Sequence, residues 1–304
     1  MIIEASGVNK RFGDFNALKD LNLKVQEGEC VGLLGPNGAG KSTFIGTLYG
    51  VVRRNAGELK VFGFDPATHS KEIKRKLGVV TQDNALDEGL SVMENMQLYA
   101  AFVELPRSKQ EARISELLRY MQLDNKKHAP IRFLSGGMKR RLTFVRALLS
   151  DPELVILDEP TTGLDPAVRH LLWERVLDLR NKGKTILLTT HYMHEAEILC
   201  NRIVILNNGS VVDEGSPQKL IQQHTPGFVA IFEENSNTLE KITSYKKSSW
   251  TTYNQSKQHC LRAPTLDDLL EFQKTSGLNA LQLRPANLED VFIKLTGEGL
   301  GAND

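Results

Sequence analysis

Gly35-Pro36-Asn37-Gly38-Ala39-Gly40-Lys41-Ser42-Thr43 lies between the apolar run Cys30-Val31-Gly32-Leu33-Leu34 and a segment, Thr43 to Tyr49, with helical apolar spacing. From Gly35 to Ser42 it fits the pattern GxxxxGK[ST]. A strand, a glycine-rich loop and a helix in that order make a cradle for phosphate. Glycines let the backbone wrap so that successive N–H groups point inward, and the helix adds the positive end of its dipole. In such a loop Lys41 reaches the β- and γ-phosphates, and the Ser42 hydroxyl helps to hold Mg²⁺. The predicted contacts to a nucleotide are Gly35, Pro36, Asn37, Gly38, Ala39, Gly40, Lys41, Ser42 and Thr43. GTPases, kinases and motor ATPases all use such loops, so partner motifs must narrow the choice.

Further along, Leu154-Val155-Ile156-Leu157-Asp158-Glu159-Pro160 is an apolar strand ending in two carboxylates. Asp158 is placed to coordinate Mg²⁺ through its water shell, and Glu159 to orient or deprotonate an attacking water. Leu134-Ser135-Gly136-Gly137-Met138 opens a basic helical segment. The Ser135 hydroxyl and the Gly136 and Gly137 amides at a helix start form a second anion site. His191 ends the run Ile186-Leu187-Leu188-Thr189-Thr190, where an imidazole can stand near a γ-phosphate.

The elements around these motifs predict an α/β fold. Met1 to Leu34 alternates apolar and polar residues between glycines, as short antiparallel strands do. From Ser91 to Gln122 the spacing is helical through Met93, Met96, Leu98, Tyr99, Ile114, Leu117, Leu118 and Met121. The continuous apolar runs at Leu154–Leu157 and Thr185–Thr190 suit strands of a parallel sheet covered on both faces. Ile203-Val204-Ile205-Leu206 with Asn207-Asn208-Gly209 is a hairpin signal. Near Gln223 to Gly227 the pattern breaks, and the chain to Ser256 becomes rich in Ser, Asn, Lys and Thr. A helix near Leu266 to Lys274, a strand near Ala280 to Leu283 and a helix near Leu288 to Leu295 follow. The expected division is a nucleotide-binding domain over 1–225, with a helical subdomain over about 83–150, and a small α+β accessory or dimerisation domain over 226–304.

At 304 residues the chain exceeds a usual single domain. A formal charge of +1, from 38 Lys and Arg against 37 Asp and Glu, points to no nucleic-acid partner. The basic clusters Lys71 to Lys76 and Lys139 to Arg141 are expected to be solvated faces. Cys30, Cys200 and Cys260 have no spacing for a zinc site or disulfide framework, which suits a reducing compartment. No apolar stretch is long enough to span a bilayer, and the N-terminus lacks a signal-peptide pattern.

In order and approximate spacing, the phosphate loop, Leu134-Ser135-Gly136-Gly137, Asp158-Glu159, Thr162-Gly163-Leu164-Asp165-Pro166 and Thr189-Thr190-His191 resemble an ABC ATPase over roughly Ile2 to Leu220. The resemblance implies a P-loop ATPase core with a parallel sheet, an N-terminal antiparallel subdomain and an inserted helical subdomain. By that likeness Phe12 stacks on adenine, Gln82 lies in the Q-loop and touches Mg²⁺, Asp165 lies in the D-loop, and His191 is the switch histidine. Ser135, Gly136, Gly137 and Asp165 would then contact ATP held by a second copy, so one chain cannot close its own site. Glu159, His191, Gln82 and Lys41 form the implied catalytic set, and ATP and Mg²⁺ the cofactors. Two departures are Phe12 in place of the usual Tyr and Met138 in place of the usual Gln.

Phe133 to Leu142, Asp165 to Arg175 and Pro285-Ala286-Asn287-Leu288-Glu289-Asp290-Val291-Phe292 are similar to the ABC-2 export class, especially nodulation-factor and daunorubicin-resistance export ATPases. This implies a homodimer at the cytoplasmic face of the inner membrane, beneath an integral permease of the ABC-2 type that handles an amphipathic cargo. A soluble ABC ATPase acting on ribosomes or DNA, and a nucleotide sensor without turnover, are the competing readings. The single cassette argues against the first, and the presence of Glu159 and His191 against the second.

Overall fold

The computed structural model describes residues 1–245, 247–255 and 257–297. It has two compact units, Met1–Glu214 and a second beginning at Gly215. In the first, β1 (Ile3–Phe12) and β2 (Phe15–Val25) form an antiparallel hairpin, and β3 (Cys30–Leu34) leads through the glycine-rich loop into α1 (Lys41–Leu48). β4 (Ala56–Val61) returns to pair with β1, giving a three-stranded sheet ordered β2-β1-β4. After α2 (Ser70–Arg75) and β5 (Leu77–Val80) come three helices, α3 (Val92–Phe102), α4 (Arg107–Tyr120) and α5 (Gly136–Ala147). The chain then alternates β6 (Leu154–Asp158), α6 (Pro166–Asn181), β7 (Thr185–Thr189), α7 (Met193–Leu199) and β8 (Arg202–Asn207), and ends the unit in β9 (Ser210–Gly215).

The main sheet has the order β5-β6-β7-β3-β8-β9, with β5 to β8 parallel. β3 and β7 are buried along their whole length, and β6 up to Asp158, because helices cover both faces of a parallel sheet. The carboxyl ends of β3, β6 and β7 therefore share one edge, where an open α/β sheet collects ligands. The β8–β9 hairpin turns at Asn208 and Gly209, whose φ of 49° and 83° are those a two-residue primed turn requires. The turn also braces the loop, since Gly209 N donates to Ala39 O at 3.1 Å and Lys19 N to Gly209 O at 2.8 Å.

The helical spacing read from Ser91 to Gln122 is two helices. Val103 to Pro106 separates α3 from α4, because proline cannot supply the N–H that a continuous helix needs. α3 begins with a reciprocal capping box between Ser91 and Glu94, and Leu98 is 41% exposed rather than in the core. Of the two basic clusters, Lys71 to Lys76 is solvated apart from Ile73, as expected. The expectation fails at Arg140, which is 5% exposed.

In the second unit, α8 (Pro217–His224), β10 (Phe228–Glu233), α9 (Ser236–Tyr245), β11 (Thr251–Gln255), β12 (Gln258–Ala263), α10 (Leu266–Ser276), β13 (Gln282–Pro285) and α11 (Leu288–Thr296) form an α+β fold. Its sheet is antiparallel, ordered β11-β12-β10-β13. β10 sends Ala230 and Phe232 to one core with Trp250, Leu261 and Phe272, and Val229 and Ile231 to another with Cys260 and Ala286. The polar composition of 234–256 concealed α9 and β11, the latter built of Thr, Tyr, Asn and Gln, whereas β10 is a short continuous apolar run, Phe228 to Phe232, that the sequence reading passed over. The predicted strand at 280–283 runs instead over Gln282–Pro285, whereas both predicted tail helices lie where expected.

Candidate functional site

The glycine-rich loop leaves the end of β3 and is shaped by close approaches. At Gly35 a Cβ would lie 2.5 Å from Leu206 O, and at Gly40 it would lie 2.5 Å from Ala17 O with φ at +103°. Above Gly38 there is open space. α1 begins at Lys41 with no side chain capping its first turn, so the helix start is available to an anion. Lys41, 7% exposed, folds back so that Nζ donates to Gly35 O at 2.7 Å and Pro36 O at 3.1 Å. Burial lowers its pKa, against the opposing pull of the Glu159 and Asp158 carboxylates.

Those carboxylates stand at the end of β6, in register with the end of β7. Asp158 pairs with Thr189, whose Oγ1 donates to Asp158 Oδ1 at 2.5 Å. Burial raises the Asp158 pKa, with Glu159 adding to the rise and the Thr189 hydrogen bond opposing it. Glu159 takes a left-handed backbone, φ 46°, a conformation that costs a non-glycine residue about 1 kcal/mol or more. It is anchored there by Glu159 N donating to Thr189 O and Oγ1, both at 3.1 Å. Its side chain meets His191, with Nδ1 3.3 Å from Oε2, and accepts from Thr162 Oγ1 at 3.1 Å. The hydrogen bond with His191 chiefly depresses the Glu159 pKa, so this carboxyl is ionised at neutral pH. The His191 ring packs on Tyr192 with centroids 4.2 Å apart.

Ser135 caps α5, accepting from Met138 N at 3.2 Å, and Asp165 caps α6, accepting from Val168 N at 3.0 Å. The two helix starts are neighbours: a Cβ on Gly137 would lie 3.1 Å from Val168 Cγ2 and 3.7 Å from Asp165 Oδ2. Gly136 is exposed beside them. Met138 contributes its backbone amide to the cap, so a side chain other than Gln leaves the cap intact. Ser135, Gly136, Gly137 and Asp165 thus form a second cluster, whose described partners are Met138 and Val168.

Phe12 is 49% exposed at the tip of the first hairpin, where it pairs with Phe15, two residues before the Ala17 carbonyl that abuts Gly40. Lys10 Nζ lies 4.4 Å from the ring centroid. Ser42 is exposed and Thr43 half-buried at the start of α1. Gln82 is exposed, and it is its backbone carbonyl that is tied to the site, through Arg140. Sequence reasoning gave no role to Thr189, Thr162 or Arg140. The register of β6 against β7 would have indicated Thr189, but register is not written in either strand alone. Glu195 also lay unnoticed, fully buried, with Oε1 accepting from Thr161 Oγ1 at 2.8 Å and Trp173 Nε1 at 2.7 Å.

Mg²⁺ favours oxygen donors, few of them protein-derived, with phosphate and water completing its shell. An exposed Ser42 hydroxyl and the half-buried Asp158 fit that demand. Among the described residues no group of three or more His, Cys, Asp or Glu could hold a metal by itself.

Residues 18–162 match the ABC transporter family, and residues 261–297 match the C-terminal domain of nodulation factor export proteins. The Nod factor export ATP-binding protein I of Ralstonia nicotianae is 40% identical over 97% of this chain and 94% of its own. That of Mesorhizobium japonicum is 42% identical over 97% of this chain and 86% of its own. Among solved structures, an ATP-binding subunit of an ABC transporter superposes with TM-score 0.68 at 34% identity, over 73% of this chain and 93% of that one. A dimeric ATP-binding cassette in a post-hydrolysis state with ADP and phosphate superposes with TM-score 0.65 at 28% identity, over 71% of this chain and 98% of that one. A phosphate cradle, two carboxylates and a histidine at one sheet edge, together with full-length similarity at both ends, place this chain among the ATPases of ABC transporters, in the family of Nod factor export ATP-binding proteins.

Proposed function

We propose that two copies of this chain hydrolyse ATP head to tail beneath a separate ABC-2 type permease, and that the cycle drives export of an amphipathic molecule of the lipo-oligosaccharide class. The observation that carries the reading is the 3.3 Å pairing of Glu159 with His191 beside Asp158 and Thr189, at the edge where the phosphate loop ends. The cargo class rests on the names of the relatives, and the permease would bind it. By its likeness to export ATPases this chain would sit peripherally on the cytoplasmic face of the inner membrane; no helix of the described residues is long and apolar enough to cross a membrane.

The phosphate loop and Lys41 bind the triphosphate, and Phe12 offers a stacking face to adenine. Mg²⁺, held by Ser42 and through water by Asp158, with Gln82 nearby, would neutralise charge on the β- and γ-phosphates. Glu159, oriented by His191, takes a proton from a water whose oxygen bonds to the γ-phosphorus as the bond to the β-phosphate bridging oxygen breaks. ADP leaves with that oxygen. Ser135, Gly136, Gly137 and Asp165 of the partner copy would close over the γ-phosphate, a reading supported by the neighbouring starts of α5 and α6 that they occupy.

Glu159→Gln should retain ATP binding and lower turnover by about 10² to 10³, the usual cost of one positioned group in such a site. Steady-state ATPase at the unsubstituted rate would remove Glu159 from the role. Reconstitution with the permease, comparing ATPase stimulation by a lipo-oligosaccharide and by an amphipathic drug, tests the cargo class. Stimulation by the drug alone would overturn it.

A further inference from the structure

Arg140 lies on α5 little more than one turn beyond Ser135, and the hydrolysis just described makes no use of it. A guanidinium carries five N–H donors in one plane, and here five main-chain carbonyls receive them. Nε donates to Pro160 O at 2.7 Å; Nη1 donates to Thr81 O and, at 3.1 Å, to Gln82 O; Nη2 donates to Asp158 O at 3.0 Å and Glu159 O at 2.7 Å. The acceptors belong to two segments remote in sequence. One leaves β5 and carries Gln82, and the other follows β6 and carries Asp158 and Glu159.

The same face of α5 grips the first segment again. Thr143 Oγ1 donates to Asn84 O at 3.2 Å, and Arg146 Nη1 donates to Asn84 O at 3.0 Å and Ala85 O at 2.7 Å. Residues 140, 143 and 146 follow one another at the spacing of a helix face. Of the three, it is Arg140 that reaches both segments. It also holds the carbonyl of Glu159, whose left-handed backbone needs external restraint.

We propose that Arg140 is a positioning residue for ATP hydrolysis, one whose guanidinium locks the Thr81–Gln82 carbonyls to those of Asp158, Glu159 and Pro160. The helix that begins at Ser135 then moves as one body with the segments bearing Gln82 and Glu159. Contact of Ser135 with ATP in the partner copy is thereby transmitted to the carboxylate of the chain's own site. This last step rests on the head-to-tail arrangement proposed above. Lysine cannot replace the residue, because three donors on one nitrogen do not span two segments.

The test compares Arg140→Lys with Arg146→Lys in the full chain. Both positions are buried on the same helix and bind carbonyls, but only Arg140 reaches 158–160. Arg140→Lys should lower kcat by about 10- to 100-fold, the scale of a misplaced catalytic group, with KM and ATP affinity held within about threefold. Arg146→Lys should stay within about threefold in kcat even where it lowers the melting temperature as much. Equal losses in kcat, or an unchanged kcat in Arg140→Lys, would overturn the assignment. An inactive Glu159→Gln beside a fully active Arg140→Lys defeats only this inference, whereas an active Glu159→Gln defeats the proposed function itself. Should Arg140→Lys not fold, native-state hydrogen exchange on the unsubstituted chain decides. Amides at 82–85 and 159–162 should open in one event, and two separate openings would overturn the proposal.

Discussion

Two arginines, the buried Arg140 in the first unit and the largely buried Arg284 in the second, do opposite things with the same side chain. Arg284 in the second unit forms a two-pronged pair with Asp290, Nη1 to Oδ2 at 2.7 Å and Nη2 to Oδ1 at 2.9 Å. The carboxylate, 3% exposed, also accepts from the Tyr253 hydroxyl and from Asn287 N at 2.8 Å. The cluster ties β13 and β11 to α11. Arg140 in the first unit sends its donors to carbonyls, leaving the Asp158 and Glu159 carboxylates to face the phosphate loop. A buried cation thus neutralises an acid where stability is needed and holds the backbone where the acids must stay reactive.

The strongest way to break this contrast is Asp290→Ala. Removing one partner strands a buried guanidinium, so the second unit should lose about 3 to 5 kcal/mol, measured by urea unfolding. A loss below about 1 kcal/mol would show that water reaches the site and that the pair is not truly buried. Replacing both partners, Arg284→Met with Asp290→Leu, should recover most of that loss, because the desolvation cost disappears with the charges. If the double variant is as unstable as the single one, packing rather than charge dominates there.

Helix caps give a smaller contrast. The Asn287 cap is half-buried and reciprocal with the buried Asp290, whereas the Ser135 cap is exposed and one-sided. Ser135→Ala should cost about 1 kcal/mol in unfolding measurements, less than the Asp290 change, in addition to its effect on ATP turnover.

The smallest effect belongs to the half-exposed pair Arg54–Asp65, 2.7 Å apart. Hydrogen bonds from Arg54 chiefly depress the Asp65 pKa to about 2. A depressed carboxyl adds stability that is present above its unfolded pKa, about 3.9, and lost as pH falls through the folded value. The melting difference between Asp65→Asn and the unsubstituted chain should therefore be constant from pH 8 to about 5 and shrink below about pH 4. A difference that shrank near neutrality instead would point to a histidine.

The residues proposed to grip phosphate were legible because each motif is local. Gly35 to Thr43 shapes its own backbone, and its flanking strand and helix lie within a few residues. The Asp158-Glu159 pair and His191 announced themselves as polar residues ending apolar runs. The tail was less legible: β11, built of polar residues, is a strand only through its pairing with β12, and the short apolar run of β10 stands alone between polar stretches.

The sequence by itself determined the α/β class, the phosphate loop, the two carboxylates, the histidine and the exposed basic run at Lys71 to Lys76. Only the tertiary structure decided that Thr189 meets Asp158, that His191 meets Glu159, and that Arg140 is interior. Burial and pairing of a charged side chain depend on segments 18 to 59 residues away, as Arg140 shows with carbonyls at 81, 82 and 158 to 160. A run of basic residues reads the same whether its helix faces water or five carbonyls, and only the packing of those distant segments separates the two.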